Sequence, residues 1–479
     1  MSGQIRHRLV LGMGLLACLV RGAFVAAATP PFQTPDEYGH YDYVLYLSYI
    51  DWGRFLAGNV APPVGYNDVT TDELWAVTRA TGTEPHLRGQ GLPARLPALE
   101  RQLEAGATYE PTDSHDALST KVVVAPQFNY PILYYGSAAL MVKGLRVLTR
   151  NPVLAYYLVR SASLVFVLLT VWLTWRIARV MFGSDDWLPT AFSVAFVALQ
   201  PQLGMLGSSV QSDVLTITLT TLAGYVAVRY AQTPTRRLAL VQGAVIGLLF
   251  LTKLHAAAAV AGAFAVLVAF RVRHRAHVRT AVLDLAVAAG VAALIGVWWY
   301  VRAFVLFGSA VGMVGDFKTA GFGGPRQNVR AWLAQWRLTH ESFWGMWGWL
   351  EVPLPRAYYT TLSWLSAISL LPLVRRAPFM GWRAPAAAPV VYWVALAIAY
   401  TGIMGAVAAL VGPVHNNQGR HWLPIVAALA LLLGYAGGVL TSRSRTLGYL
   451  LLTLWCLALT AANVQLTHDT SVFYGGYGF

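Results

Sequence analysis

Residues 34–43 read TPDEYGHYDY, and they follow directly on an apolar run, LVLGMGLLACLVRGAFVAAA, at residues 9–28. An apolar helix needs about 20 residues to cross the hydrocarbon core, so 9–28 is long enough to span. The chain thus places Asp36, Glu37, His40 and Asp42 where it leaves a membrane. Arg6 and Arg8 before a short apolar core and AFVAAA also resemble a cleavable signal. The length of the run favours a retained first helix.

Extending this reading along the chain finds apolar segments near 9–28, 155–180, 188–207, 213–231, 238–253, 255–271, 280–304, 357–374, 388–411, 421–440 and 446–465. The expected architecture is an all-α polytopic membrane protein with eleven spans. Composition agrees: 56% of the 479 residues are hydrophobic and 12% charged, against about 25% charged in a soluble domain. The net charge of +14 does not point to nucleic acid, because the basic residues form short clusters between apolar segments, where the positive-inside rule puts them. Cys18 and Cys456 both lie in apolar runs and read as packing residues rather than as a disulfide or thiolate site.

With the N-terminus assigned to the cytoplasm, the basic connections around Arg176, Arg236, Arg271–Arg279, Arg375–Arg383 and Arg443 all become cytoplasmic. Counting 131–149 as a further span would reverse every later loop, so it reads as an interfacial or re-entrant helix with Lys143, Arg146 and Arg150 near headgroups. The outer side then carries a first external loop, 29–154, and a second external segment, 305–356, on one transmembrane domain covering 1–479. Within the first loop, 57–126 is rich in Pro, Gly and polar residues and reads as an inserted folded loop. Of the 21 acidic residues, 13 fall within 36–116.

Several motifs converge on this outer face, and each has two readings. Asp36 and Glu37 either cap a helix start or supply a carboxylate able to take a proton from a hydroxyl. Asp213, in SSVQSD, likewise caps a helix or joins the first acids to bind hydroxyls or a divalent ion, although no spacing specifies a metal. Lys253 and His255, in LTKLH, Arg302, in WWYVRAF, and Arg420, in NNQGRHW, either snorkel to the interface or bind the phosphate of a lipid-linked ligand. Trp344 and Trp347, in SFWGMWGWL, belong either to an interfacial aromatic belt or to a sugar-stacking surface, with Gly345 and Gly348 leaving room for a ring. Arg21 inside the first helix calls for a buried partner, with a carboxylate the expected one.

Taken together, PPFQTPDEYGHYDY, SSVQSD, LLFLTKLH, WWYVRAFVLFG, SFWGMWGWL and NNQGRHWLP, in this order, resemble a family of bacterial membrane proteins assigned to the GT-C glycosyltransferase superfamily. The resemblance runs from about residue 8 to about residue 440. The superfamily includes protein O-mannosyltransferases and the aminoarabinose transferase of lipid A. The resemblance implies a GT-C fold of about eleven transmembrane helices, with interfacial helices in a large first external loop. It also implies a multi-pass protein of the bacterial cytoplasmic (inner) membrane with its active site facing outside.

The implied donor is a polyprenyl-phosphate sugar, and the acceptor a cell-envelope glycan, lipid or protein. Asp36 falls at the catalytic position, with Glu37 beside it, and Asp213, Lys253, His255, Arg302, Trp344, Trp347, Gln418 and Arg420 are the expected substrate-binding residues. The sequence departs from the family pattern at Gln211, Ala303 and His421, where Asn, Asn and an aromatic residue are usual. Two rivals remain: a lipid or glycan transporter lined by the same charges, and a non-catalytic GT-C-like scaffold. The large asymmetric external loop and the lack of visible inverted repeats argue against transport.

Overall fold

The computed structural model describes residues 3–57, 73–74, 76–77, 130–183, 186–254, 257–273, 278–307, 324–375, 387–411 and 418–475. His255, Asn416, Asn417 and most of the segment expected to form an inserted external loop lie outside these residues. In chain order the helices are α1 (Gly3–Ala28), α2 (Glu37–Tyr49), α3 (Trp52–Leu56), α4 (Ile132–Leu148), α5 (Pro152–Phe182), α6 (Leu188–Leu199), α7 (Pro201–Gly207), α8 (Ser212–Gln232), α9 (Arg236–Phe250) and α10 (Ala257–Arg273). They continue with α11 (Val278–Ala292), α12 (Trp298–Phe307), α13 (Pro325–Ala334), α14 (Trp336–Trp344), α15 (Arg356–Arg375), α16 (Ala387–Val411), α17 (Val426–Thr441) and α18 (Arg445–Gly475). A π-helical turn, Ala293–Val297, joins α11 to α12, and a 3-10 segment, Gly419–Ile425, leads into α17. Among the described residues the only sheet is a small antiparallel pair, β1 (Met346–Trp347) with β2 (Val352–Pro353).

The all-α polytopic architecture is as expected, but the count of eleven spans is not reached. Seven described helices are long and apolar enough to cross a bilayer, and α6 with α7, bent by 54°, make an eighth if read as one broken span. The expected segments 238–253 and 255–271 are helical, but α9 and α10 have only 15 and 17 residues. At 1.5 Å per residue they reach about 23–26 Å, short of the roughly 30 Å core. The segment 131–149 forms α4, which packs against α2 and α5. Its Arg146, expected near headgroups, donates to both Glu73 carboxylate oxygens at 2.9 and 3.1 Å and to Ser48 Oγ at 2.8 Å, and lies over the Tyr49 ring.

The centre of the bundle is α8, which packs against α5, α9, α10 and α16. A helix buried this deeply must satisfy its own polar groups. Thr216, Thr218 and Thr221 do so by donating to carbonyls one turn back. The N-terminal end of α8 presents Asp213, so a deeply buried helix carries one of the expected site residues to the bundle's end.

Arg21 finds a carbonyl rather than a carboxylate. Pro201 biases Gln200 to an extended conformation (φ −63°, ψ 116°), which breaks the helix between α6 and α7, and the Gln200 carbonyl accepts the Gly204 N–H at 3.2 Å with room for a second donor. Arg21 Nη1 donates to that oxygen at 2.6 Å. Replacing Arg21 with Met is expected to destabilise the fold by about 1.5–3 kcal/mol, the worth of a hydrogen bond made by a charged group, while the Gly204 N–H still meets the carbonyl. Thermal unfolding of the purified variant, compared with wild type, measures it.

Candidate active site

Asp36 sits at the N-cap position of α2, yet its side chain makes no cap hydrogen bond. Its backbone is left-handed (φ 65°, ψ 3°), a conformation that Asp and Asn tolerate better than most side chains. The carboxylate instead meets Arg420, whose Nη2 lies 2.5 Å from Oδ2. The Asp36 side chain is 45% exposed and that of Arg420 only 6%, so the acid is reachable while its cation is held inside. Desolvation pushes the Asp36 carboxyl up, but the guanidinium outweighs it and holds the group below the usual carboxylate range.

Arg420 is fixed by more than Asp36. Its Nη1 donates to the Pro35 carbonyl at 3.0 Å and to Gln211 Oε1 at 3.4 Å, while Gln211 Nε2 donates to the same Pro35 carbonyl at 3.0 Å. Gln211 is the residue before α8, so this web ties the start of α2 to the start of α8. At Gly419 a Cβ would lie 2.0 Å from the Phe343 backbone nitrogen, and the Gly419 N–H donates to Ser342 Oγ at 2.7 Å. Only glycine lets the chain pass so close to α14 while presenting Arg420.

In the first turn of α8, Asp213 is ion-paired with Lys253 Nζ. The predicted capping role is not seen, because the N-cap position is Gln211. Both side chains are mostly covered, at 11% and 21% exposure. Two acids and two cations expected from separate motifs thus form two pairs, and Gln211, which holds Arg420, stands two residues before Asp213.

Glu37 points the other way. Oε1 accepts from the Val210 N–H at 2.9 Å and lies 3.3 Å from Arg160 Nε, while Oε2 accepts from Thr34 Oγ1 at 2.9 Å. Its side chain has no exposure at all. The expectation that Glu37 acts beside Asp36 therefore meets a carboxylate whose oxygens are committed to internal donors. Arg160 also donates to the Thr29 carbonyl at 2.9 Å, tying down the chain just after α1. Sequence reading missed Arg160, although an arginine inside the span Pro152–Phe182, well before the Arg176 and Arg179 of its far end, was the available signal.

His40, one turn after Asp36, hydrogen-bonds the Tyr135 hydroxyl through Nδ1 at 2.7 Å, and that hydroxyl donates to Ser212 Oγ at 3.3 Å. Burial pushes His40 down to about 4; Asp36 and Asp213 pull it up, and Arg420 and Lys253 push it further down. Because the unfolded histidine titrates near about 6.5, the unfolded state binds more protons between about 4 and about 6.5, and stability falls as pH drops through that window. Asp42, raised to about 7 by burial, acts with the opposite sign over the same range. The pH dependence of melting in wild type minus that in His40→Gln is therefore the quantity to measure. A larger loss on acidification in wild type is expected, and parallel curves would contradict the buried neutral histidine.

Other expected site residues lie elsewhere. Arg302 donates to the Phe55 and Leu56 carbonyls and stacks over Phe55 and Trp299, bracing α3. Trp344 and Trp347 are 5% and 0% exposed, so neither offers a face to a sugar. Trp344 packs against Phe196 and Trp455. The neighbouring glycines serve close packing: a Cβ at Gly345 would lie 2.5 Å from Leu466, and one at Gly348 (φ +60°) 2.8 Å from the Tyr474 hydroxyl. Gln418 lies next to Gly419, and its buried Oε1 has no hydrogen-bond partner among the described residues.

A family described as "Predicted membrane protein (DUF2142)" matches residues 19–429, a stretch that contains both ion pairs. The chain belongs to this family. No curated protein matches it significantly. Among solved structures, it is similar to ArnT from Cupriavidus metallidurans bound to undecaprenyl phosphate, at 13% identity and a TM-score of 0.45, covering 72% of this chain and 67% of that one. It is also similar to the Archaeoglobus fulgidus oligosaccharyltransferase in complex with Zn and sulfate, at 13% identity and a TM-score of 0.42, covering 72% of this chain and 44% of that one. The same oligosaccharyltransferase tethered to an acceptor peptide gives 13% identity and a TM-score of 0.41.

Among the described residues of this family member, no three His, Cys, Asp or Glu side chains gather to hold a metal. Asp36 and Asp213 each face a cation instead. Such a site can bind an anion by exchange, with an incoming phosphate taking a guanidinium or ammonium from its carboxylate.

Proposed function

We propose that this protein is a GT-C-type glycosyltransferase that moves a sugar from a polyprenyl-phosphate donor to a cell-envelope acceptor, with inversion, on the outer face of the cytoplasmic membrane. The observation that carries this reading is the half-exposed Asp36 carboxylate held by the buried Arg420. A carboxylate paired with arginine is a weak base. A donor phosphate that engages Arg420, with Lys253 beside it, loosens the Asp36 pair and raises the basicity of that acid. Asp36 then takes the proton of an acceptor hydroxyl, whose oxygen bonds to the anomeric carbon. The anomeric C–O bond breaks, and its electron pair leaves on the lipid phosphate. Glu37 and Arg160 position this machinery rather than touch the substrate.

Arg420 decides the donor end. Its fork spans Asp36 and the Pro35 carbonyl, a geometry that lysine cannot reproduce. Arg420→Lys should already weaken donor binding, and Arg420→Ala should weaken it by about 2–4 kcal/mol. Affinity for a polyprenyl-phosphate sugar, measured on folded wild type and both variants, tests this. Unchanged affinity in Arg420→Lys would return Arg420 to a structural role and leave Lys253 as the phosphate ligand.

A further inference from the structure

Apart from the Asp36 centre, α14 and α15 flank an open cavity of about 350 Å³, lined by Arg337, His340, Glu341, Arg356, Thr360, Ser363 and Trp364 among others. Helical spacing explains the convergence: Arg337 and His340 are three apart on α14, while Arg356, Thr360, Ser363 and Trp364 follow one face of α15. The opposite side of α14 carries Ser342, which accepts from Gly419 in the Arg420 turn. The cavity is therefore separated from the Asp36 centre by the thickness of one helix.

Its polar wall sets two arginines, Arg337 and Arg356, against one carboxylate, Glu341, a net positive lining. Arg337 spends Nε on Glu341, at 2.7 Å, leaving both terminal nitrogens for another partner. Arg356 is exposed, and no ion pair engages it among the described residues. The hydroxyls of Thr360 and Ser363 donate to backbone carbonyls of α15 at 3.1 and 2.7 Å. His340 Nε2 receives the Trp344 indole N–H at 3.2 Å, and burial lowers the ring's pKa, so the histidine adds no positive charge near neutrality. The unspent donors are the two guanidinium groups.

Below the cavity, Trp364, Ile368 and Leu371 are 65%, 52% and 60% exposed, at positions i, i+4 and i+7 of α15. In a membrane protein such a stripe lies against acyl chains, with a tryptophan at its polar end marking the interface. Arginines at that level meet lipid phosphates. We propose that this cavity is a binding site for the phosphate of an anionic membrane phospholipid, with an acyl chain lying along the Trp364–Leu371 stripe. A soluble anion would use the guanidinium groups but not the stripe, and a zwitterionic lipid would use the stripe but carry its own cation to the arginines.

The test is native mass spectrometry of the purified full chain titrated with phosphatidylglycerol, phosphatidylcholine and inorganic phosphate. Wild type should bind phosphatidylglycerol more tightly than phosphatidylcholine, and inorganic phosphate should fail to displace it. Arg337→Gln with Arg356→Gln should weaken phosphatidylglycerol binding by about tenfold or more. Trp364→Ala should weaken it through the stripe while leaving both arginines in place. All of these residues except His340 and Ser363 are largely exposed or line open space, so unchanged melting temperatures are expected and serve as the folding control. Equal affinity in the double arginine variant, equal binding of phosphatidylcholine, or displacement by inorganic phosphate would each overturn the proposal.

Discussion

Replacing Asp36 with Asn is expected to lower sugar transfer by more than about a hundredfold while leaving the fold and donor binding largely intact. The substitution is suited to this position because Asn, like Asp, accepts the left-handed backbone found there, whereas Ala would add strain of about 1 kcal/mol or more. The amide keeps the shape of the side chain, loses the ability to take a proton, and still offers an oxygen to Arg420. Initial rates and donor affinity should be measured on the same preparations. A variant with wild-type turnover would remove Asp36 from the chemistry, whereas one that has lost donor binding would move its role to the donor phosphate.

The second large effect concerns stability. Arg160→Met should destabilise the protein by about 3–5 kcal/mol, because it strands the Glu37 carboxylate in a site with no exposure and also unmakes the bond to the Thr29 carbonyl. Glu37→Gln, which removes the charge, keeps an oxygen for the Val210 N–H and turns its amide N–H to the Thr34 hydroxyl as acceptor, should cost less. Combining the two should cost less than the sum of the single changes, because the stranded charge is then gone. Denaturation of all four proteins in one detergent measures the coupling. Additive losses would mean that the pair is not an energetic unit.

Much of this was legible in the sequence, for physical reasons that differ by element. Apolar length located the helices, since the bilayer fixes the scale, although among the described residues seven or eight of the eleven expected spans are long and apolar enough to cross. Charge at membrane depth located Asp36, Asp213, Lys253 and Arg420, because an ion there must find a partner, and the partners proved to be one another. The same rule flagged Arg21 but not what it binds, since the backbone carbonyl at the Gln200–Pro201 break leaves no charged signature.

Neighbouring residues could not be told apart. Asp36 and Glu37 are adjacent, and only the left-handed backbone at Asp36 turns one outward and the other inward to Arg160. Trp344 and Trp347 read equally well as belt, sugar platform or core, because an aromatic–glycine run has the same composition in each. Burial alone decides for the core. Arg302 matched its motif, but its carbonyl partners on α3 are 246 residues or more away in sequence, beyond the reach of any local pattern.

The central claim is that the Asp36–Arg420 pair is a reaction centre for a lipid-phosphate sugar rather than a structural clasp or part of a transport path. The most direct measurement is product analysis after incubating the purified protein, reconstituted in liposomes, with labelled polyprenyl-phosphate sugars and a crude envelope acceptor fraction. The account predicts acceptor-dependent release of polyprenyl phosphate from at least one donor, with the label appearing in the acceptor and both signals lost in Asp36→Asn. Movement of intact donor across the bilayer without cleavage, or cleavage that persists unchanged in Asp36→Asn, would contradict it.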